Sequence, residues 1–188
     1  MSNVFFTADT HLGHCNILKY CNRPWNNHEA MNEGIIQRFL EVLRPGFTLY
    51  HLGDVCHTQF PIKNFLDRLP NGQVHLIYGN HDKPKLLKHP KIVWAGDIKH
   101  VKSLDKKYST VLLHYPMRSW NGKGHGSFHF YGHCHGKVPG LDRSMDVGVD
   151  TNNYYPYSWD ELVKKLKDKP FFADGDKDGH KRTEDRED

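Results

Sequence analysis

Five short stretches of this chain each lead from apolar residues into side chains that commonly bind metal ions. The apolar runs cover residues 4–8, 49–53, 75–79, 110–113 and 128–132. The polar residues that follow them are Asp9 and His11, Asp54, Asn80 with His81 and Asp82, His114, and His133 with His135. Short apolar runs bounded by glycine or polar residues are typical of buried strands in an α/β sheet. Because ligands of such sheets bind beyond the carboxyl ends of the strands, the pattern predicts one shared site there.

Two of these stretches carry their polar residues as pairs with a spacing of two. Asp9 pairs with His11, and His133 pairs with His135. Since alternate residues of a strand point to the same side, each pair is expected to converge on one centre. Carboxylate oxygens, imidazole nitrogens and an amide oxygen form a mixed set that suits divalent transition metals. The constellation therefore predicts a dinuclear metal site.

The motif order D-x-H, G-D, G-N-H-D, a lone His and G-H-x-H resembles the calcineurin-like metallophosphoesterase superfamily. The motifs run from Asp9 to His135, about two-thirds of the chain. Any single one of these residues would be better explained as a core or turn residue, but five motifs in the same order favour the metal site. The resemblance implies an α/β fold, a four-layer α/β/β/α sandwich, with residues 1–172 as the phosphoesterase domain.

The resemblance also implies how the ligands divide between two metal ions. Metal site one would use Asp9, His11, Asp54 and His135. Metal site two would use Asp54, Asn80, His114 and His133, so that Asp54 bridges the two. We expect Mn²⁺ because oxygen-rich octahedral sites suit it, although Fe, Ni, Zn or Mg would also fit.

The implied reaction is hydrolysis of a phosphoester. Two adjacent metals would lower the pKa of a water held between them, and the resulting hydroxide would attack phosphorus in line. His81, beside a ligand without being one, would protonate the leaving oxygen as general acid. Asp82 would orient His81, or alternatively cap the next turn. Cys134 lies between His133 and His135, so alternation turns it away from the metals.

The substrate side of the site differs from many phosphomonoesterases of the superfamily. Those enzymes have G-D-x-x-D-R where this chain has His57-Thr58, and their arginine grips a terminal phosphate. The departure removes the expected clamp for a dianion. It therefore favours a phosphodiester, whose phosphate carries only one negative charge. The loop after the first strand offers His14 and Arg23 as substrate contacts, with Tyr20 or Trp25 for stacking. Other candidate contacts are His57, Arg118 and Trp120. The alternatives are a first loop folded down by Ile17, Leu18 and Trp25 with Arg23 solvated, a surface or capping His57, and a mobile, solvated loop over 115–127.

The preferred function is thus a phosphodiesterase acting on a small, nucleotide-like phosphodiester. The alternatives are a phosphomonoesterase or a small nuclease and, more remotely, a scaffold that binds metal without catalysis. A scaffold would typically lack ligands or the general acid, whereas every expected position is filled here. The net charge of +4 tolerates nucleic acid, but no cationic run favours it.

Composition predicts a single domain in the cytosol. A chain of 188 residues is long enough to bury one proper core. No stretch approaches the ~20 apolar residues of a membrane span, and the N-terminus shows no signal sequence. The four cysteines have neither metal nor disulfide-framework spacing, so we expect reduced thiols. The sequence does not indicate an oligomeric state.

Local patterns predict the remaining elements. Helices are expected over 28–44 and 61–69, and a capping box at Ser158–Glu161 begins another. Two or three antiparallel strands are expected over 92–112, with a turn at 105–107. A further strand is expected over 145–149. The polar segment 173–188 predicts disorder. Its Asp174-x-Asp176-x-Asp178-Gly179 matches half of an EF-hand loop, but Asp185 at position twelve and the lack of an exit helix argue against calcium.

Overall fold

The computed structural model describes residues 3–57, 60–103 and 107–173. Its nine strands are β1 Val4–Thr7, β2 Phe47–His51, β3 Gly72–Ile77, β4 Ile92–Gly96, β5 Ile98–Lys102, β6 Ser109–Leu113, β7 Phe128–Tyr131, β8 Ser144–Asp146 and β9 Tyr157–Ser158. The α-helices in these ranges are α1 Ile17–Tyr20, α2 His28–Val42, α3 Lys63–Leu66 and α4 Trp159–Leu166. Short 3₁₀ turns lie at Pro84–Leu86, Lys123–His125 and Val149–Thr151.

The strands form two sheets. The first has the order β4-β3-β2-β1-β9, in which β1 to β4 run parallel and β9 runs antiparallel to β1. The second has the order β5-β6-β7-β8, in which β6, β7 and β8 are parallel and β5 is antiparallel to β6. Parallel strands end at the same edge of a sheet, so this topology brings the segments after β1, β2 and β3 together.

Alternation along the strands of the first sheet divides its side chains between two cores. On one face, Phe5, Leu49 and Val74 belong to a core that α2 and α3 complete. The stripe of Met31, Ile35, Ile36 and Phe39 gives α2 the apolar side that packs there, while Asn27 caps its first turn. The opposite face belongs to the core between the sheets.

The inter-sheet core is rich in aromatic rings. Phe6 from β1 stacks on Tyr50 of β2 at 5.0 Å between ring centroids and meets Phe130 of β7 edge-on at the same distance. Leu162 and Leu166 of α4 are fully buried in the same core. On the far side of the second sheet, Trp120 of the 115–127 loop packs against His129. The expected α/β sandwich of two sheets flanked by helices is confirmed.

Several local expectations need correction. Of the antiparallel strands predicted over 92–112, the pair β5 and β6 is confirmed, but β4 pairs parallel with β3 in the other sheet. The predicted helix over 61–69 is a helix only at Lys63–Leu66, and the predicted strand over 145–149 spans Ser144–Asp146. The helix over 28–44 and the Ser158 capping box are confirmed.

Some expectations lie outside the described residues. These are the position of Thr58, the turn residues 105 and 106, and segment 174–188 with its half EF-hand motif. The division into a domain over 1–172 and a tail stays a prediction. The four cysteines are free thiols, as expected. No helix within the described ranges is both long enough and apolar enough to cross a membrane.

Candidate metal centre

Seven predicted ligands meet where the strands of both sheets end. Asp9 and His11 follow β1, Asp54 follows β2, and Asn80 follows β3. The second sheet adds His114 after β6, and His133 and His135 after β7. The structure therefore brings together every ligand position indicated by the sequence.

The ligand loops hold an unusual backbone conformation. Five of the seven ligands have a positive φ, namely Asp9 (58°), His11 (48°), Asp54 (55°), His133 (68°) and His135 (49°). Non-glycine residues rarely adopt this left-handed region, and such strain concentrates at functional sites. The ligands thus converge through tight loops beyond the strand ends. This corrects the expectation that alternation along a strand aims each pair at one centre.

Metal site one is formed around Asp9, His11 and His135. Each offers one ligand atom, and these atoms lie within 4.8 Å of one another. His135 donates from Nδ1 to Asp150 Oδ2 at 2.7 Å, so the lone pair of the neutral ring is on Nε2. His11 Nε2 is buried and has no hydrogen-bond partner among the described residues. Because an orphaned buried nitrogen is costly, a cation at this position would satisfy it.

Metal site two is formed around Asn80, His114 and His133. His114 donates from Nδ1 to the carbonyl of Leu52 at 2.7 Å, which leaves Nε2 as an acceptor. That nitrogen lies 3.0 Å from Asn80 Oδ1, and His133 Nδ1 lies 2.9 Å from the same oxygen. Two imidazole nitrogens thus converge on one amide oxygen, and nitrogen and oxygen atoms grouped in this way suit a divalent metal. The donor set therefore fits a divalent cation.

Asp54 lies between the two sites. Its Oδ2 is 3.5 Å from both His11 Nε2 and His114 Nε2, while its Oδ1 accepts a hydrogen bond from the His81 amide at 2.9 Å. Asp9, Asp54 and His114 also form a group with ligand atoms within 4.8 Å. His133 and His135 diverge to different sites, whereas Asp9 and His11 share one. This geometry fits Asp54 as the bridging carboxylate.

Burial controls the charge of the site without metal. Burial raises the pKa of Asp9 to about 7, although His135 and His114 oppose the shift. Burial also lowers the pKa of His11 to about 2. Burial alone would raise the pKa of Asp54, but its contacts with His114 and His11 lower it to about 2. Burial alone would lower the pKa of His135, but its hydrogen bond with Asp150 raises it to about 10. The buried carboxylates thus favour positive charge around them, which is an environment that stabilises a cation.

Glycines leave room for these carboxylates. A Cβ added at Gly79 would overlap Asp54 Oδ1, and one at Gly132 would lie 2.8 Å from Asp9 Oδ2. Gly53 has a φ of 94°, and a Cβ there would lie 2.5 Å from the Gly79 amide nitrogen. The loops after β2 and β3 can therefore pack backbone against backbone.

A model of the family described as "Calcineurin-like phosphoesterase" matches residues 2–185. This chain belongs to the calcineurin-like phosphoesterase family. It is accordingly a metal-dependent phosphoesterase, and its ligand loops provide the divalent-metal site that the family implies.

The chain is also similar to two other proteins over most of its length. "Uncharacterized protein MJ1445" of Methanocaldococcus jannaschii is 33% identical over 175 residues, covering 88% of this chain and 92% of that protein. The solved structure described as "The Crystal Structure of the Protein of Unknown Function AQ665 from Aquifex aeolicus" aligns with a TM-score of 0.69 at 25% identity. That alignment covers 87% of this chain and 98% of the other.

Asp82 has a different position from the one expected for a partner of His81. Its Oδ2 accepts from the amides of Asp54 (2.8 Å) and Gly79 (2.9 Å), and its Oδ1 accepts from Val55 (3.0 Å). Both oxygens of the Asp82 carboxylate therefore accept hydrogen bonds that join two ligand loops of this phosphoesterase. Asp82 holds the ligand loops in position, and its described hydrogen bonds do not include the His81 side chain.

Arg23 is not a substrate contact, which corrects the sequence interpretation. It is 4% exposed, and its guanidinium donates to both carboxylate oxygens of Asp150 at 2.8 Å. The same group donates to the carbonyls of Thr10 (2.9 Å) and Asp9 (2.7 Å). Arg23 therefore binds the Asp9–His11 loop directly and His135 through Asp150.

Other candidate substrate residues divide into two groups. His14 and His57 lie beside the site, with their rings 5.2 Å apart and the His14 ring 6.3 Å from that of His81. Arg118 is exposed on the loop after β6. Trp120, in contrast, is buried and donates from its indole nitrogen to the Ser127 carbonyl, so it stabilises its own loop. Trp25 packs on Tyr154, whereas Tyr20 is exposed.

Sequence reasoning missed three residues near the site. Asp150 binds His135, and Asp146 accepts from the amides of Gly136 and Gly148. Tyr115 is 44% exposed and packs on His133 at 4.7 Å between ring centroids. Asp150 could have been found, because it also ends an apolar run after a strand, the signal that identified the predicted ligands.

Proposed function

We propose that this phosphoesterase is a phosphodiesterase that hydrolyses a small, nucleotide-like phosphodiester with His81 as general acid. The observation that carries the proposal is the placement of His81. Its amide is anchored to Asp54 Oδ1, while its side chain is exposed and its ring contacts that of His11. An exposed imidazole next to the ligands can reach an ester oxygen of a bound phosphate.

The preference for a diester rests on the missing phosphate clamp. After Asp54 the chain reads Val55-Cys56-His57, without the arginine that many phosphomonoesterases of the family use. Arg23, the arginine of the first ligand loop, is fully engaged inside the protein. A diester carries one negative charge, so it needs less cationic compensation than a monoester dianion.

The ligands have distinct tasks in this proposal. One metal would be held by Asp9, His11 and His135. The other would be held by Asn80, His114 and His133, and Asp54 would bind both. Two divalent cations, for which we favour Mn²⁺, would supply Lewis-acid stabilisation of the phosphate and an activated water nucleophile. Asp82, Arg23 and Asp150 keep the ligands in position through the hydrogen bonds described above.

His81 completes the reaction by moving a proton. Its exposed ring lies 5.5 Å from the His11 ring between centroids, so the acid and metal site one are neighbours. Donation of a proton to the departing ester oxygen avoids release of a strongly basic alkoxide. The neighbouring His14 and His57 line the same approach and would contact the departing group.

The test compares matched esters after metal removal and reconstitution. Thymidine 5′-phenyl phosphate, a diester, and phenyl phosphate, a monoester, share one leaving group. We expect Mn²⁺-reconstituted enzyme to show a higher kcat/KM for the diester, and cyclic nucleotides and oligonucleotides would extend the comparison. Faster hydrolysis of the monoester would overturn the diester assignment, and full activity without metal would overturn the metal mechanism.

A further inference from the structure

A small pocket opens beside His81, away from the metal ligands. It has a volume of about 120 Å³ and is lined by Cys56, His57, Phe60, Pro61, Ile62, His81, Lys83 and Leu87. We propose that this pocket is the leaving-group subsite, and that it selects phosphodiesters whose departing alcohol carries one small apolar ring. The inference rests on the proposed function, because it places the departing alcohol of that same reaction in this pocket.

The position of His81 ties the pocket to the reaction. A general acid must approach the leaving oxygen to hydrogen-bond distance, roughly 2.6–3.2 Å. The atoms bonded to that oxygen must then lie next to the imidazole. His81 forms one wall of the pocket, so the departing group has this space directly in front of it.

The pocket walls continue from the ligand loops. Cys56 and His57 follow Asp54, while Lys83 and Leu87 follow the Asn80–Asp82 segment. The Asp82 carboxylate joins those two segments through their backbone amides. The His57 amide also donates to the Leu12 carbonyl at 2.7 Å, which attaches the wall to the Asp9–His11 loop. The pocket is therefore held in a defined place relative to both metal sites.

Phe60 forms a fixed part of the wall. Its amide donates to the His57 carbonyl at 2.9 Å, and its side chain lies over Gly13. Gly13 has a φ of 81°, and a Cβ there would lie 2.6 Å from Phe60 Cβ. Only glycine permits this close approach, so Gly13 determines how deeply the Phe60 ring sits.

The lining determines what the pocket accepts. Phe60, Pro61, Ile62 and Leu87 present apolar surface, with the polar His57, His81 and Lys83 around them. In another protein, an apolar cavity of roughly 150 Å³ binds benzene, so this pocket matches a single ring. A fused two-ring group would extend into solvent, and a ribose would place hydroxyls against apolar walls. In a nucleotide diester, the nucleoside is therefore expected on the side of the phosphate whose ester bond is not broken.

The experiment keeps the nucleoside constant and varies the departing group. Thymidine 5′-phosphate esters of phenol, 2-naphthol and trifluoroethanol are compared with Mn²⁺-loaded enzyme. We expect wild type to prefer the phenyl over the naphthyl ester in kcat/KM. Leu87→Trp fills the pocket, so the phenyl-to-trifluoroethyl ratio should fall by roughly tenfold as the ring loses its buried area. Val93→Trp, at a 51% exposed position on β4, serves as the control and should keep the wild-type ratio.

A second variant covers the case in which Leu87→Trp does not fold. Phe60→Ala removes part of the wall and should raise the naphthyl-to-phenyl ratio by roughly threefold or more. The subsite is refuted if wild type shows no size preference and neither variant shifts its ratio. If wild type hydrolyses none of the diesters but does hydrolyse phenyl phosphate, the proposed phosphodiesterase function itself fails. The two failures are therefore distinguishable.

Discussion

We propose that Asp54 serves two cations with one carboxylate, because its Oδ2 lies at the same 3.5 Å from a histidine of each candidate metal site. Asp54→Asn should therefore lose both metals, while His11→Ala should keep one. Elemental analysis of purified variants gives the metal count per chain. Unchanged stoichiometry in Asp54→Asn would contradict the bridging role.

His81 should matter most when the leaving oxygen is strongly basic. General acids contribute a factor of roughly 10²–10⁴, or about 3–5 kcal/mol at the barrier. His81→Ala should lose a factor of that order on an alkyl ester of thymidine 5′-phosphate. On bis-nitrophenyl phosphate it should lose much less, because nitrophenolate leaves without protonation.

The control for His81 is the metal content, which should equal that of wild type. Steady-state kinetics on both substrates then separate proton donation from positioning. Equal losses on the two esters would mean that His81 orients the substrate and does not protonate it.

At the scale of elements, the segment between α1 and α2 braces the metal centre through Arg23. Arg23 holds Asp150 with two hydrogen bonds, and Asp150 holds His135. Mutation of such hydrogen-bond partners of metal ligands typically lowers the metal affinity by roughly 10–100-fold. Asp150→Asn and Arg23→Lys should weaken one of the two metals by about that factor and leave the other nearly unchanged.

Calorimetric titration with Mn²⁺ resolves the two binding steps in that experiment. Arg44→Lys is the matched control, since Arg44 is exposed and its guanidinium donates to carbonyls at the carboxyl end of α2. An equal loss at both metals would show that the network maintains the whole fold instead of one site.

Helix α4 depends on its capping box for a defined start. Ser158 accepts from the Glu161 amide at 3.3 Å, and the Glu161 carboxylate accepts from the Ser158 amide at 2.7 Å. Ser158→Ala should lower the free energy of unfolding by about 1 kcal/mol. Denaturant unfolding measures this, with the exposed Lys164→Ala as control; a change no larger than the control would contradict it.

At the scale of the whole molecule, the metal centre joins the two sheets. Its ligands follow β1, β2 and β3 of one sheet and β6 and β7 of the other. A ligand that binds only the folded state stabilises it by mass action. Chelation should therefore lower Tm, and added Mn²⁺ should restore it in a concentration-dependent way. Calorimetric scans would refute this coupling if Tm stays constant across the titration.

Much of the architecture was predictable because it depends on local patterns. The apolar runs predicted β1, β2, β3, β6 and β7, and the apolar stripe with its N-terminal cap predicted α2. The convergence of the seven candidate ligands was predictable because each follows a strand end, where parallel topology gathers side chains. The pairing of β4 was not predictable, since an exposed edge strand carries little periodic signal to choose between two sheets.

The sequence by itself determined which residues could bind metal and which class of fold would hold them. The tertiary structure alone decided what the surrounding polar residues do. Arg23 and Asp150 are 127 positions apart, so no local pattern reveals that they form a buried ion pair instead of a substrate clamp. Asp82 likewise finds its partners in another loop, 27 and 28 positions away. A polar side chain's role follows from the buried partners that it meets, and those partners are brought to it only when the sheets pack.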